Sequence, residues 1–460
     1  MSHDYDMRTA SCSVYFLPVE TRVPLKFGGE TLTHVTCVRV RMEVEGRDGR
    51  HSEGWGETPL SVQWAWPGDR SYEMRNDAMM RLCCRLAHEW TELGEYGHPI
   101  ELGWDFLENV VSRVATEFDG MPWLAALISA SAFDIALHDA YGNLHKVSVY
   151  ETYNARFMNR DLSSFLEDAD GRRDLFAGRY PEHYLRRNPP DKVPVWHLLG
   201  GQDAIGPADL RGDEPADDYP VLLRDWIHRD GLQCIKVKLR GNDSEWDWKR
   251  LVEVGRVARE EAVVWLTADF NCMVVDPEYV TLILDRLIAD DPVTYQKILY
   301  VEQPFPYDLE SNPIDVHSVS ARKPLFMDES AHDWRLIRSG RTLGWTGVAL
   351  KTCKTQTGAL LSLSWAKAHG MTLMVQDLTN PMLAQLSHLQ LARHADTVMG
   401  VESNGMQFYP DASLPESAVH PGAYRRQNGL IDLASLRGPG FGYRIDEIGR
   451  SLPPPTCTFP

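Results

Sequence analysis

Three acidic residues stand at the ends of successive apolar runs in the second half of the chain. Asp269 ends VVWLTAD, Glu302 ends ILYVE and Asp328 ends KPLFMD. Carboxylates are seldom buried unless something compensates their charge, so three of them in one pattern predict a shared ligand. No Cys or His pair lies nearby, and oxygen donors favour a hard ion over Zn²⁺. We therefore predict a Mg²⁺ site on these three residues, with Mn²⁺ as the alternative ion.

Lysines lie on both sides of these acids along the chain. Lys236 and Lys238 are two residues apart in the predicted strand QCIKVKL, so their side chains leave on the same face. Lys351 ends the run GVALK, and Lys354 follows three residues later, where strand alternation would place it on the opposite face. We expect Lys351 to face the interior and Lys354 to be a solvated strand end. Lysines on both sides of a metal site indicate acid/base chemistry.

Eight short apolar runs occur between residues 193 and 405, and most are separated by stretches with helical spacing. This alternation predicts a parallel α/β barrel, in which functional residues gather at the carboxyl ends of the strands. An open doubly wound sheet is the rival fold, but it would gather its site at one switch point. The predicted strands lie in the runs 194–200, 233–239, 263–270, 298–304, 323–330, 347–353, 372–378 and 397–403.

Five motifs in this order resemble those of the enolase superfamily, in its muconate-lactonizing and dipeptide-epimerase subgroup of the mandelate racemase/muconate lactonizing enzyme family. Segments at both ends of the chain are similar to the capping strands of that family. The motifs are K-x-K ending at Lys238, D-x-N beginning at Asp269, E-Q-P beginning at Glu302, D-E-S beginning at Asp328 and A-L-K ending at Lys351.

The resemblance implies an α/β fold: a TIM-like (β/α)7β barrel with an α+β capping domain formed by the N-terminal segment and the C-terminal tail. We predict the capping domain at residues 1–150, a charged insertion or linker at 151–192, the barrel at 193–410 and the segment returning to the cap at 411–460. Within this division, the carboxyl ends of the barrel strands would face the cap.

The segment 151–192 departs from the family pattern, because it is highly charged and bounded by prolines. We predict a surface insertion. An oligomer contact and an added wall of the site are the alternatives. Either would draw on the arginines Arg172, Arg173, Arg186 and Arg187.

The resemblance also implies a mechanism. Bound Mg²⁺ would grip a substrate carboxylate and stabilise the enediolate that forms when the neighbouring carbon loses a proton. Lys238 and Lys351 would act as acid/base groups on opposite faces of that carbon. Lys236 would lie beside Lys238, where two ammonium groups disfavour each other's charge and allow one to act as a base. Asn271 and Glu329 would be auxiliary ligands.

The residues on the seventh and eighth predicted strands narrow the choice of subgroup within the family. The mandelate racemase type carries a His on the seventh strand, whereas this chain has TLMVQDL there, and the eighth strand has GVESNG where dipeptide epimerases of the family have D-x-D. Three histidines, His369, His388 and His394, are predicted to be surface or helix-end residues. The predicted substrate contacts at these strand ends are Gln376, Asp377, Glu402 and Asn404.

The capping segment supplies further candidates for substrate contact. By resemblance, Lys26, Phe27 and Gly28 of KFGG would lie over the barrel mouth as a lid, and a plain turn is the alternative. Trp64 and Trp66 of SVQWAWPG would line an apolar pocket or belong to the core of the cap. An aromatic pocket would favour an acylated or hydrophobic substrate.

Composition excludes several classes of partner. A net charge of −18 over 460 residues argues against binding to nucleic acid or to an acidic membrane surface. No apolar run reaches membrane-spanning length, and the amino terminus lacks the features of a secretory signal. The eight scattered cysteines are typical of a reduced cytoplasmic protein. The expected partner is a small-molecule carboxylate. The resemblance also implies that the protein forms a homo-oligomer.

The sequence therefore predicts a Mg²⁺-dependent isomerase that removes a proton next to a carboxylate, a racemase or epimerase using two lysines. Cycloisomerisation and dehydration follow from the same intermediate and are the alternatives within this chemistry. A catalytically idle metal-binding scaffold is the alternative of another class. It is disfavoured because such a protein would have no reason to keep all five acids and lysines.

Overall fold

The computed structural model describes residues 4–460, which form a capping domain and a barrel. The cap begins with a long antiparallel hairpin followed by a third strand and a set of helices. Its elements are β1 (Met7–Phe27), β2 (Glu30–Gly46), β3 (His51–Pro59), α1 (Val62–Ala65), α2 (Tyr72–Glu92), α3 (Pro99–Phe106), α4 (Ser112–Ala115) and α5 (Trp123–His145).

Helix α5 packs against strand β3 at unusually short range. Its sequence is rich in alanine, and two glycines of β3 face it. A Cβ atom at Gly54 would lie 2.1 Å from Ala140 N, and one at Gly56 would lie 2.0 Å from Ala132 O. Only glycine fits at these two positions, so the small residues of both elements bring the helix directly onto the sheet.

The barrel contains eight parallel strands joined mainly by helices. The strands are β4 (Lys192–Leu199), β5 (Cys234–Lys238), β6 (Trp265–Asp269), β7 (Ile298–Glu302), β8 (Leu325–Met327), β9 (Gly347–Leu350), β10 (Thr372–Val375) and β11 (Val401–Glu402). The helices between them are α6 (Leu223–Asp230), α7 (Ser244–Glu260), α8 (Pro277–Asp290), α9 (Pro292–Lys297), α10 (His317–Ser320), α11 (Trp334–Leu343), α12 (Gln356–Ala368) and α13 (Ala384–Ala395).

The strand order is β10-β9-β8-β7-β6-β5-β4-β11, and a parallel bridge between Gln376 and Glu402 joins the two edges. The sheet is thereby closed. Large side chains fill its interior below the site, including Tyr300 and Phe326, whose ring centroids are 4.2 Å apart. The predicted α/β barrel with an α+β cap is confirmed, and each of the eight predicted runs overlaps a strand.

The tail after the barrel returns to the cap. It contains α14 (Gly405–Phe408), α15 (Leu414–Val419), β12 (Leu430–Asp432) and β13 (Cys457–Phe459). Strand β12 pairs with the start of β4, and β13 adds antiparallel to β1. The cap sheet therefore has the order β13-β1-β2-β3 and uses strands from both ends of the described chain.

The segment 151–192 is folded against the barrel by short 3₁₀ turns and apolar contacts. Leu162 and Phe176 are fully buried, and Trp365 of α12 donates a hydrogen bond to Glu167 O at 2.7 Å. Arg172 pairs with Asp168, 3.1 Å away. The segment is thus packed more deeply than a solvated surface insertion. Among residues 4–460, none of the helices has the length and apolar character needed to cross a membrane.

Candidate active site

The predicted acids and lysines meet at the carboxyl ends of strands β5 to β9. Asp269 ends β6 and Glu302 ends β7, and their Cα atoms are register partners. Lys238 is in turn the register partner of Asp269. Asp328 directly follows β8 and Lys351 directly follows β9. All of these side chains are buried, so each charge needs a nearby partner.

Lys236 is the centre of this charge cluster. Its Nζ lies 2.5 Å from Glu302 Oε1, 2.9 Å from Glu402 Oε2 and 3.0 Å from Asp269 Oδ2. Burial opposes the ammonium charge, but these carboxylates together outweigh burial and hold the pKa of Lys236 well above its ordinary value. The acids around Lys236 outweigh any effect of the neighbouring Lys238 ammonium group, so the base expected from this pair would not be Lys236.

Asp269 is shared between the two lysines of β5. Lys238 Nζ lies 2.5 Å from Asp269 Oδ2, the same oxygen that faces Lys236. The backbone N–H of Asn271 donates to Asp269 Oδ1 at 3.0 Å. Although burial favours the neutral acid, the two ammonium groups hold the pKa of Asp269 below its ordinary value, so Asp269 is a carboxylate.

Lys351 and Lys354 both approach Asp328. Lys351 Nζ lies 3.1 Å from Asp328 Oδ2, and Lys354 Nζ contacts the Asp328 backbone carbonyl. Lys354 is 3% exposed, so the prediction of a solvated strand end is wrong. Strand β9 ends at Leu350 and residues 352–354 form a 3₁₀ turn, so strand alternation no longer applies there.

The two lysines proposed as acid/base groups come from opposite sides of the barrel. Lys238 lies on β5 and Lys351 follows β9, four strands further around a closed sheet of eight. Both line one small cavity beneath the cap, together with Asp328, Asp377 and Glu402. A molecule bound in this cavity is therefore between two ammonium groups.

Three buried oxygen atoms of the predicted metal ligands have no hydrogen-bond donor among residues 4–460: Asn271 Oδ1, Asp328 Oδ1 and Glu329 Oε2. Unpaired buried acceptors are costly, and they are suitable ligands for a hard cation such as Mg²⁺. No group of three His, Cys, Asp or Glu side chains in the described residues already surrounds a metal position, because the carboxylates face lysines. The donor chemistry fits the ion, while the carboxylate arrangement is that of an ion-paired cluster.

The remaining predicted contacts around β10 and β11 divide into two groups. Asp377 and Glu402 line the cavity, whereas Gln376 and Asn404 do not. Gln376 Nε2 donates to Glu302 Oε2 at 2.7 Å, and Asn404 Nδ2 donates to Glu402 Oε1 at 3.0 Å. Gln376 and Asn404 thus position acids of the site.

One of the three histidines predicted at the surface or at helix ends is located differently. His388 of α13 is 0% exposed, and its Nε2 lies 2.8 Å from the backbone carbonyl of Glu402. Burial lowers the pKa of His388 to about 4. That prediction is wrong for His388 because α13 is buried along most of its length. His369 caps the end of α12.

The cap closes the cavity with apolar side chains. Phe27 and Trp64 line it, whereas the Lys26 ammonium turns away to donate to Gly29 O at 2.8 Å. A Cβ at Gly28, where φ is 47°, would lie 3.4 Å from Asn271 Cβ, so the turn lies directly over the end of β6. Trp66 is buried in the core of the cap.

Trp64 connects the cap to the charged cluster. Its Nε1 donates to Glu329 Oε1 at 3.0 Å, and Lys351 Nζ lies 5.1 Å from the centre of its ring. The Asn271 amide donates to the same Glu329 oxygen at 3.3 Å. Trp64 therefore both covers the cavity and orients an acid of the site.

Two buried residues of the site were not predicted as functional. One is Lys354, where a K-x-x-K spacing just after a strand places both lysines on one side of a turn. The other is Gln303, the middle residue of the E-Q-P motif. Its Oε1 accepts hydrogen bonds from the backbone N–H groups of Asp328 and Ser330, at 2.8 and 3.2 Å, and so fixes the loop after β8.

Comparisons with known proteins agree with the fold described above. The family model described as enolase C-terminal domain-like matches residues 218–448. No curated protein sequence matches the chain. An N-succinyl Arg/Lys racemase from Bacillus cereus ATCC 14579 is similar in structure, with a TM-score of 0.63 and 17% identity over 98% of this chain and 99% of that one.

Two further solved structures have the same fold. A dipeptide epimerase from Cytophaga hutchinsonii, complexed with Mg and the dipeptide D-Ala-L-Val, has a TM-score of 0.61 and 16% identity over 95% of both chains. A 2-chloromuconate cycloisomerase from Rhodococcus opacus 1CP has a TM-score of 0.60 and 16% identity over 96% of this chain and 100% of that one.

Proposed function

Because the chain belongs to the enolase superfamily, in the group described by the matching enolase C-terminal domain-like model, we propose that it racemises or epimerises a carboxylate substrate. The reaction would proceed by removal and return of the proton on the carbon next to that carboxylate. The structural neighbours include a racemase, an epimerase and a cycloisomerase, which supports this general kind of chemistry.

The observation that carries the proposal is the placement of Lys238 and Lys351. They face one cavity from opposite sides of the barrel. A racemase needs a base on one face of the carbon and an acid on the other, and two lysines satisfy both requirements in either direction. A single-base elimination would need only one of them.

The residues around the cavity have different roles in proton transfer and charge stabilisation. One lysine in its neutral form takes the proton, and the opposite lysine in its ammonium form returns a proton to the other face. Lys236 keeps its proton because acids surround it, so it supplies a fixed positive charge near the developing enediolate. The cap excludes water with Phe27 and Trp64, which strengthens these electrostatic interactions.

Asp269, Glu302 and Asp328 would hold Mg²⁺, with Asn271 and Glu329 nearby as oxygen donors. The Mg reported with the dipeptide epimerase and the three unpaired oxygens of this site support that assignment. When bound, the ion would stabilise negative charge on the substrate carboxylate. The ammonium groups that pair with Asp269 and Asp328 would then have to move away from these carboxylates when the ion binds.

The cavity walls indicate the class of substrate. Six charged residues line the cavity, and apart from Ser61 and Thr379 the rest of its lining is apolar: Leu25, Phe27, Leu32, Trp64, Leu198 and Leu378. We infer a carboxylate with an apolar substituent rather than a polyhydroxy acid, because hydroxyl groups against these apolar side chains would lose their hydrogen bonds to water. The volume, about 40 Å³, is far below that of common ligand sites, so the cap must move for entry.

The test is proton exchange in D₂O, followed by NMR on the purified protein with Mg²⁺. Pools of dipeptides, N-acyl amino acids and sugar acids would separate the substrate classes. We expect loss of the α-proton signal from N-acyl or apolar dipeptide substrates, and starting from one stereoisomer both stereoisomers should appear.

Lys351→Met should stop exchange on one face only, and Lys238→Met on the other. Lys354→Met separates loss of an ammonium group beside Asp328 from loss of an acid/base group, because Lys354 is equally buried beside Asp328 but does not line the cavity; it should lower exchange on both faces alike. Exchange without inversion in the unmodified protein would contradict racemisation and favour an elimination or cycloisomerisation. Full exchange in Lys351→Met would remove Lys351 from the mechanism.

A further inference from the structure

A second cleft lies on the outside of the barrel, away from the strand ends that carry the acids. It is bounded by helix α6, the loop between α14 and α15, and residues 424–428 before β12. Its volume, about 510 Å³, is within the range of small-molecule sites. None of the residues assigned to the charged cluster lines it.

The feature that distinguishes this cleft is the guanidinium group of Arg426. The side chain is 0% exposed, and its Nε donates to Asp230 Oδ2 at 2.7 Å. Its Cζ lies 5.2 Å from the centre of the Trp226 ring. Its two terminal nitrogens have no hydrogen-bond acceptor among residues 4–460.

A guanidinium group with unpaired donors is costly when buried. Arginine stays charged, and its terminal nitrogens carry four of its five N–H donors in a planar fork. A single carboxylate at Nε leaves that fork unsatisfied. These donors are best satisfied by a group with two or more acceptor oxygens. Carboxylate and phosphoryl groups match the planar guanidinium best.

The other walls of the cleft are also cationic. Arg229 and Arg425 line it and are exposed, and Arg425 has no ion-pair partner within the described chain. Among the lining residues, Asp230 is the only carboxylate; it pairs with Arg426 and lies 3.9 Å from Arg229 Nε. Three arginines against one aspartate concentrate positive charge on a protein whose net charge is −18. Such a field attracts anions.

We propose that this cleft binds the oxyanion group, carboxylate or phosphoryl, of a small molecule. Arg425 and Arg229 would contact the anion at the mouth of the cleft, and Arg426 would attract it by its charge from the wall behind them. The site is separate from the proposed lysine chemistry and does not depend on it.

The experiment is calorimetric titration of the full chain with inorganic phosphate and, separately, with citrate, in a buffer free of Mg²⁺ because both probes bind that ion. We expect saturable binding of at least one probe. Binding of phosphate alone would indicate a phosphoryl ligand, and binding of citrate alone a carboxylate ligand.

Two arginine variants locate the binding. Arg425→Ala removes an exposed side chain and should weaken binding about tenfold or more, since one charge-assisted contact is lost. Arg187→Ala is the matched control, because Arg187 is also exposed, has no ion-pair partner in residues 4–460 and lies outside the cleft. Anions bound at the active-site lysines would be affected equally by both variants.

Loss of affinity confined to Arg425→Ala would therefore support the site. Absence of saturable binding by the unmodified protein, or equal affinities of the two variants, would overturn it. Arg426→Met gives a second measurement, on protein whose folding is checked by circular dichroism. If folded, it should lose binding, and retention of full affinity would also overturn the proposal.

Discussion

Lys236 Nζ and Glu302 Oε1 are 2.5 Å apart inside the closed barrel, where both side chains are buried. This contact makes Lys236 the main counter-charge of the acidic cluster, because two further carboxylates approach the same ammonium group. Removing either partner of such a buried pair leaves an uncompensated charge.

We expect Lys236→Met to lower the free energy of unfolding by about 3–5 kcal/mol, because three carboxylates then lose their shared ammonium group. Urea denaturation without added metal measures the change. Lys238→Met is the matched control, since Asp269 would keep its contact with Lys236. Equal destabilisation by the two variants would show that Lys236 has no special structural role.

Metal binding should depend on Asp328. In the proposed site, Asp328→Asn removes a charged oxygen ligand, and we expect Mg²⁺ affinity to fall about tenfold or more. Calorimetric titration with Mg²⁺ measures the affinity. Asp308→Asn, at an exposed aspartate on the loop after β7, is the control. Unchanged affinity in Asp328→Asn would remove this residue from the ligand set.

Trp64 should affect turnover without belonging to the acid/base pair. Trp64→Phe keeps an aromatic ring over the cavity but removes the hydrogen bond to Glu329. We expect kcat/KM for the exchanged substrate to fall about tenfold, corresponding to a loss of about 1.4 kcal/mol. Trp66→Phe, in the core of the cap, should leave kcat/KM nearly unchanged. Equal effects would indicate a general weakening of the cap.

His138 should make stability depend on acidity. It lies between the cap and the barrel, with Nδ1 2.9 Å from the Tyr153 hydroxyl and Nε2 3.0 Å from Thr357 Oγ1. Burial lowers its pKa to about 3. Below the ordinary histidine pKa of about 6.5 the unfolded chain binds a proton that the folded chain does not, so stability is lost as pH falls.

The expected contribution of His138 to the slope of unfolding free energy against pH is about 1.4 kcal/mol per pH unit between roughly pH 4 and 6. His138→Gln should reduce the slope by that amount in urea denaturation at several pH values. His51→Gln, on the exposed face of β3, controls for the loss of one histidine. An unchanged slope in His138→Gln would mean that other groups set the acid sensitivity.

The convergence of the acids could be predicted because each ends an apolar run, and parallel strands bring their carboxyl ends to one rim. Lys354 could not be placed by the same rule. Alternation holds only while a strand continues, and the extent of β9 is set by pairing with its neighbours. The burial of His388 could not be predicted for a related reason, since burial of a helix on nearly every side is a property of the assembled fold.

The charge state of Lys236 was also beyond local sequence reasoning. Its proximity to Lys238 could be predicted from their spacing, but its contact with Glu402 depends on the pairing of β11 with β4. The acids around Lys236 come from three different strands. A sequence pattern identifies each strand separately and does not give the distance across the barrel.

The final barrel strand has a consequence for synthesis of the protein. Strand β11 is only two residues long, and its Glu402 lies 166 residues after Lys236. At translation rates of about 5–20 residues per second, Lys236 emerges roughly 10 to 30 s before its partner. We expect the nascent barrel to remain an open sheet during this interval, with Lys236 lacking one of its carboxylates. This is the stage at which it would most need protection by chaperones.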